Sequence, residues 1–522
     1  MKISPLFVYS LSALLVATGP VRAQETSQQW YDDGRAAVER NLARLGGRTL
    51  PRARNVILFV GDGMGISTVT AARILAGQLA GGTGEENELY FELFPDVALS
   101  KTYNVNAQTP DSAGTMSAIA TGIKTDAGLI SVGADTTRGD CDSQQGRQLT
   151  TLLELAEQSG MATGIVTTAR ITHATPAANY AHVMDRDFED DRDGANLANP
   201  GDCADIARQL VEFKANHPGS DGIEVAMGGG RHSFLPRVPG VDPEDGGQGE
   251  RMDGRNLIEE WLADHHDSQY VWNKQQFDEL DIDATRQVLG LFDMSHMEYE
   301  LDRPSDTGGE PSLSEMTATA IRLLDKNPNG FYLNVEAGRI DHAHHATNPQ
   351  RALLDTIELA NAVRLAHEMT DPAETLIIVT ADHSHVFTLA GYPARGNPIL
   401  GKVVSIDAAG ETLDEPALAA DGLPYTTLGY ANGAGFHFLP GAGSADAIYN
   451  EDINGGRADL TTVDTTHEGF HPEVLVPMED ETHGGEDVAV YATGPGSELV
   501  RGVLEQNVIF HIMHEALQLD RR

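Results

Sequence analysis

The stretch G-F-Y-L-N-V-E-A-G-R-I-D-H-A-H-H, residues 330–345, decides the fold. It begins as a short run rich in branched and aromatic apolar side chains, the pattern of a buried strand, and it ends with Asp341 and His345 four residues apart. That spacing places both on one face of a helix. Similar apolar runs recur at 55–60, 164–168, 222–227, 288–292, 375–380 and 487–492, most of them separated by long helix-like sequence. Such spacing predicts parallel strands joined by helical crossovers. The expected fold is α/β, a large, mostly parallel central sheet flanked by helices, with ligands bound outside the carboxyl ends of the strands. Two stretches break the rhythm: 232–256, rich in Pro, Gly and acid, and about 386–470, rich in Gly, Pro and Ala, which reads as a small crown-like accessory insertion.

Metal-ligating residue types gather at these strand ends. The run at 330–335 leads into Glu336, Asp341 and His345; the run at 375–380 leads into Asp382 and His383; E-T-H-G-G-E-D at 481–487 supplies His483 just before the run at 487–492. Asp62 follows the first run in G-D-G-M-G, which lacks the third glycine spacing of a dinucleotide fingerprint. Carboxylate and imidazole together, without cysteine, suit zinc or a related borderline ion, and the oxygen-rich remainder suits magnesium. Ser112, in T-P-D-S-A at 109–113, stands just ahead of a small-residue helix-like run. It has no G-x-S-x-G elbow around it and no histidine within fifty residues on either side, so a local Ser–His pair is excluded. A neighbouring zinc ion would stabilise its alkoxide instead.

Composition bounds the partners. The 522 residues include 78 acidic and 36 basic side chains, a net charge of −42, which excludes a nucleic-acid-binding surface and suits a protein kept soluble in concentrated salt. Residues 1–23 read as a signal peptide, so 24–522 is expected to be exported, periplasmic or secreted, without a membrane anchor. Cys141 and Cys203, the only cysteines, favour one disulfide over two free thiols in that compartment.

Taken together, V-G-D-G-M-G at 60–65, T-P-D-S-A at 109–113, H-A-T-P-A-A at 173–178, Arg186, V-E-A-G-R-I-D-H-A-H-H at 335–345, T-A-D-H-S-H at 380–385 and E-T-H-G-G-E-D at 481–487 resemble the alkaline phosphatase family from about residue 52 onward. The resemblance implies hydrolysis of phosphate monoesters through a phosphoserine on Ser112, with Arg186 clamping the phosphate. It implies one zinc on Asp341, His345 and His483, a second on Asp62, Asp382, His383 and Ser112, and a magnesium on Asp62, Thr175 and Glu336. His173 and His342 stand where enteric bacterial members have aspartate and lysine, as in animal and some marine bacterial members, and are implied to border the substrate. A calcium ion on Glu244, Phe292, Asp293 and Glu310, a Cys141–Cys203 disulfide and a homodimer, with the polar segment 27–45 as an arm across the partner, are also implied. The competing readings are a phosphodiesterase or sulfatase on the same scaffold, and a noncatalytic acidic protein that buffers calcium. A sulfatase would need a Cys/Ser-x-Pro-x-Arg motif, which the region around Ser112 lacks; Arg186 argues for a monoester dianion over a diester; and the calcium-buffering reading leaves the histidines beside the carboxylates unexplained.

Overall fold

The computed structural model describes residues 25–46 and 50–519; the signal-peptide reading at 1–23 lies outside them. One sheet of ten strands organises the chain. In chain order these are β1 Asn55–Gly61, β2 Asp96–Lys101, β3 Ala162–Arg170, β4 Val225–Gly229, β5 Gln269–Val271, β6 Val288–Leu291, β7 Phe331–Ala337, β8 Thr375–Ala381, β9 Val488–Thr493 and β10 Gly502–Glu505. Their spatial order is β10-β2-β9-β8-β1-β7-β3-β4-β6-β5. All neighbours pair in parallel except β9, which runs antiparallel to both β8 and β2. All seven apolar runs read from the sequence are strands.

The missed strands are β2, β5 and β10. β5 and β10 are the two edges, and all three keep only alternate or single residues fully buried. A half-exposed strand needs no continuous apolar run, so its signal is weak.

The central strands are buried on both faces, and every residue of β1, β7 and β8 is buried. Alternation along β1 divides the core. Val56, Leu58 and Val60 pack with Met116, Ile119 and Phe510, while Ile57 and Phe59 pack with Val69, Leu359 and Val363 on the opposite face. Each such side chain contributes about 1.5–3 kcal/mol on leaving water. Helices Ile66–Leu79, Leu313–Leu324 and Pro349–Met369 cover one face, and Ser112–Thr121 and Val508–Leu517 the other. Helix Ser27–Arg44 buries Trp30, Gly34 and Val38 and docks on Val508–Leu517 of its own chain. A Cβ at Gly34 would lie 2.5 Å from the His511 ring, so only glycine permits that approach.

The stretch 232–256 is mostly loop, closed by an ion pair between buried Arg231 and Asp242. Between 386 and 470 the chain forms short strands, with Phe387–Leu389, Leu428–Gly433 and the following Val474–Pro477 making a small separate sheet. Cys141 and Cys203 are disulfide-bonded, with Cα atoms 5.8 Å apart.

Candidate metal centre

Sheet register builds the site. Gly61 pairs with Ala337 on one side and Ala381 on the other, so β1, β7 and β8 end level. Asp62 and Asp382 therefore leave the sheet side by side, and Glu336 lies one residue inside the same edge. Helix Arg339–His345 starts three residues after Glu336 and presents Asp341 and His345 on one face. His483 precedes β9. It reaches this edge only because β9 runs antiparallel, which puts its start beside the ends of the parallel strands; it sits in a two-residue ladder with His385. Ser112 is the first residue of helix Ser112–Thr121, whose cap is the Asp111 carboxylate accepting from the Gly114 N–H.

Around Ser112, acceptors face acceptors. The Nδ1 of His383 donates to the Ser384 carbonyl, which leaves Nε2 as a lone pair. That Nε2 lies 3.3 Å from Asp62 Oδ1, 3.4 Å from Asp382 Oδ2 and 3.1 Å from Ser112 Oγ. Asp62 Oδ1 is buried without a hydrogen-bond partner. A general base would need a proton acceptor aimed at the serine alone; this convergence of lone pairs fits a cation. The second group repeats the pattern. His345 Nδ1 donates to the Glu481 carbonyl and His483 Nδ1 to the Pro110 carbonyl, and their Nε2 atoms meet at 3.1 Å beside Asp341 Oδ1. In the third, Thr175 donates to Asp62 Oδ2 at 3.3 Å, while Glu336 Oε1 and His173 Nδ1 are buried without partners. The implied sets for two borderline ions and one harder ion are thus each brought together, with His173 joining Asp62 and Glu336 in the third.

Electrostatics agree. Burial, then Asp382 and Asp341, push the Asp62 carboxyl well above the usual carboxylate range. Burial also raises Asp382 and takes Glu336 up to about 8. The same burial lowers His383 to about 4 and His483 to about 3, keeping both imidazoles neutral, the state in which a ring nitrogen can hold a cation. Asp341 is the exception: despite burial, His345, His385 and His483 hold it well below the usual range.

Arg186 borders the serine. Its Nη1 lies 3.3 Å from Asp111 Oδ2 and its Nη2 3.1 Å from His173 Nε2. His342 packs instead against His296, ring centres 4.0 Å apart, and lies 3.2 Å from Arg339 Nη1. Glu244, Asp293 and Glu310 do not converge as the other groups do among the described residues. Glu244 Oε2 takes the Arg231 guanidinium at 2.6 Å, Asp293 caps the Ser295 N–H, and Glu310 accepts from the Glu298 N–H.

Sequence reasoning gave no role to His385, Glu481 or Asp111. His385 bridges Asp341 Oδ1, 2.8 Å from its Nε2, to Glu481 Oε2 on its Nδ1. It orients a ligand from behind, a role typical of groups surrounding a metal site. Asp111 accepts from the Gly114 and Gly128 N–H groups while it holds Arg186. The motif T-A-D-H-S-H carried His385 in view, but nothing local distinguishes a ligand from its support.

A parallel sheet with a serine among metal-ligating carboxylates and imidazoles at its carboxyl edge defines a metal-dependent α/β hydrolase. The family model for alkaline phosphatase matches residues 53–519. The chain is 43% identical over 517 residues to the tissue-nonspecific alkaline phosphatase of Gallus gallus, covering 97% of this chain and 92% of that one. It is 44% identical to the alkaline phosphatase of Gadus morhua, covering 88% and 91%. The Thermus thermophilus alkaline phosphatase structure shares the fold, with a TM-score of 0.61 at 24% identity, covering 90% of this chain and 93% of that one. The chain belongs to the alkaline phosphatase family and is a phosphomonoester hydrolase of that family. No helix among the described residues is long and apolar enough to cross a membrane.

Proposed function

We propose that the protein hydrolyses a broad range of phosphate monoesters through a phosphoserine on Ser112. The observation that carries this reading is Ser112 Oγ, at a helix N-terminus, 3.1 Å from the lone pair of a histidine that also faces two buried carboxylates. Asp341, His345 and His483 would hold one zinc, Asp62, Asp382 and His383 a second, and Asp62, Thr175 and Glu336, with His173 beside them, a magnesium. These ions would supply charge that stabilises the serine alkoxide and the departing ester oxygen.

The chain's own groups do the rest. Arg186 has two Nη atoms facing the site, the fork that grips two oxygens of a phosphoryl group, and Asp111 and His173 hold that fork in place. The positive end of helix Ser112–Thr121 favours the same anion. Ser112 gives up its hydroxyl proton to water, its Oγ attacks phosphorus as the bond to the ester oxygen breaks, and the alcohol takes a proton from water as it leaves. A water molecule then attacks the phosphoserine, the bond from phosphorus to Oγ breaks, and inorganic phosphate departs. All these contacts fall on the phosphoryl group, which supports broad specificity. His342 is proposed to border the substrate's outer side.

The reading extends to export into the periplasm or medium, a homodimer, salt adaptation and an accessory insertion at about 386–470. It includes calcium on Glu244, Asp293, Glu310 and the Phe292 carbonyl; in support, burial and Asp293 push the Glu310 carboxyl well up, which a divalent cation would reverse. The test compares a chromogenic monoester with a diester and a sulfate ester, and traps labelled phosphate in acid. Label on wild type but not on Ser112→Ala is expected; label retained by the variant overturns the assignment.

A further inference from the structure

On the same side of the sheet as helix Ser112–Thr121, but outside the catalytic cluster, Glu154, His182 and His217 bring three ligating atoms as close together as the catalytic groups do. Glu154 lies in helix Leu152–Gln158 and is buried. Its Oε2 is committed to the Thr151 N–H at 2.8 Å, which leaves Oε1 alone facing His182 Nε2 and His217 Nε2, each 2.8 Å away. Both rings are pinned from behind. His182 Nδ1 lies 2.9 Å from the Ser131 carbonyl and His217 Nδ1 2.8 Å from the Phe213 carbonyl. A carbonyl can only accept, so each Nδ1 carries a proton, and each ring, when neutral, aims its Nε2 lone pair at a carboxylate oxygen.

Three lone pairs meeting at one point repel unless something positive sits among them. Protons can serve, and Glu154 holds the His217 imidazole above its usual range despite burial. Once those protons leave at alkaline pH, a divalent cation can take the same point, and the three donor atoms already converge on it. A backbone carbonyl behind each imidazole is the support that metal-bound histidines use, and His345 and His483 show the same arrangement in the catalytic centre. Two nitrogens and one monodentate carboxylate oxygen select a borderline ion of the zinc class over calcium or magnesium.

We infer that Glu154, His182 and His217 form a structural binding site for a zinc-class divalent cation, separate from the catalytic ions. Tetrahedral ligation needs donor atoms about 3.3 Å apart, so each ring would move outward by about half an ångström. The fourth position opens on a cavity of about 240 Å³ lined by Gln144, Tyr180, Gln209 and Asn216, where a water can complete the shell. The ion would tie helix Leu152–Gln158 to the end of helix Phe213–Asn216 and to the segment that carries Arg186. Gln209 already clasps that segment, accepting from the His182 N–H at 2.9 Å and donating to its carbonyl at 3.2 Å.

The test is the metal content of folded holoenzyme dialysed against buffered zinc at about pH 8.5, where free imidazole is neutral. Wild type should retain about one zinc per chain more than His217→Asn, with hydrolysis per catalytic zinc unchanged. Equal zinc in the two proteins overturns the site and leaves the cluster as an imidazolium pair on one carboxylate. Glu154→Gln, which can keep the Thr151 contact through its amide oxygen, is the second variant and should lose the same ion. Should neither variant fold, titration of wild type against a chromophoric zinc chelator decides, with magnesium saturating the third catalytic group: a zinc count no higher than the catalytic pair overturns the proposal, and a further equivalent supports it.

Discussion

Acidic side chains crowd both the outer surface and the floor of the catalytic cleft, and they behave oppositely in the two places. At the surface, carboxylates such as Glu86 and Asp421 are held below their usual range by hydrogen bonds and by Arg395 and Arg457. In the cleft, Asp62, Glu336 and Asp382 are 0% exposed and burial drives them up. Water and mobile cations screen the first set. The second can ionise together only if cations sit at fixed points among them.

The largest expected effect comes from removing what the cleft activates. Ser112→Ala should lower kcat by about 10⁴-fold or more, because the lost group is the nucleophile, while the metals stay bound, because Asp62, Asp382 and His383 still converge on the second ion. Turnover and metal content on the same sample check this; full activity would show that the cleft's acids serve some other chemistry.

Chelation sharpens the comparison through pH. Without metals, Glu336 keeps its proton up to about 8 in the folded chain but loses it near the ordinary carboxylate range when unfolded. The folded state then binds more protons, so its stability falls as pH rises through that window, by roughly 1.4 kcal/mol per pH unit for one such carboxyl. His383 and His483 act in the opposite sense, but their folded values are about 4 and 3, and their contribution is complete once pH passes the ordinary imidazole range. Between about pH 7 and 8 the cleft's carboxyls still act and these two histidines no longer do. Chelated protein should therefore melt lower at the alkaline end of this window, and metal-loaded protein should not. Equal melting of chelated protein at both ends would show that the cleft floor behaves like the surface.

A smaller effect is expected one contact away from the ions. His385→Gln removes the bridge between Asp341 and Glu481 and should weaken zinc binding by about 10- to 100-fold. Activity should return in excess zinc, which separates a positioning role from a catalytic one.

The smallest effect tests the surface. A net charge of −42 crowds like charges in the folded chain. Raising salt from 0.1 M to 1 M shortens the Debye length from about 10 Å to about 3 Å. With metals saturating, melting should rise by about 2–5 °C in sodium chloride but not in a neutral osmolyte. A flat series would remove salt adaptation from the account.

Much of this contrast was legible in the residues. The interior strands β1, β3, β4, β6, β7 and β8 carry continuous apolar runs because both faces are largely buried, and Asp341 with His345 declares a shared helix face by spacing alone. The edge strands β5 and β10 and the half-exposed β2 were not legible, since solvated positions break the run. Nor was the burial of His471, which no local pattern marks: its Nδ1 is held 2.7 Å from the Ala346 carbonyl, 125 residues away.

The sequence by itself determined the donor chemistry: which carboxylates, imidazoles and hydroxyl stand at strand ends, and that neither a dinucleotide loop nor a local serine–histidine pair competes for them. The tertiary structure alone decided which atoms meet. The level ends of β1, β7 and β8 put Asp62 beside Asp382, and the reversed β9 delivers His483 to the same edge. The same long-range packing turned His385 into a support and gathered Glu154, His182 and His217 from three separate segments. Spacing along the chain reports only local faces, while convergence over a hundred residues depends on register and strand direction, which the whole core sets at once.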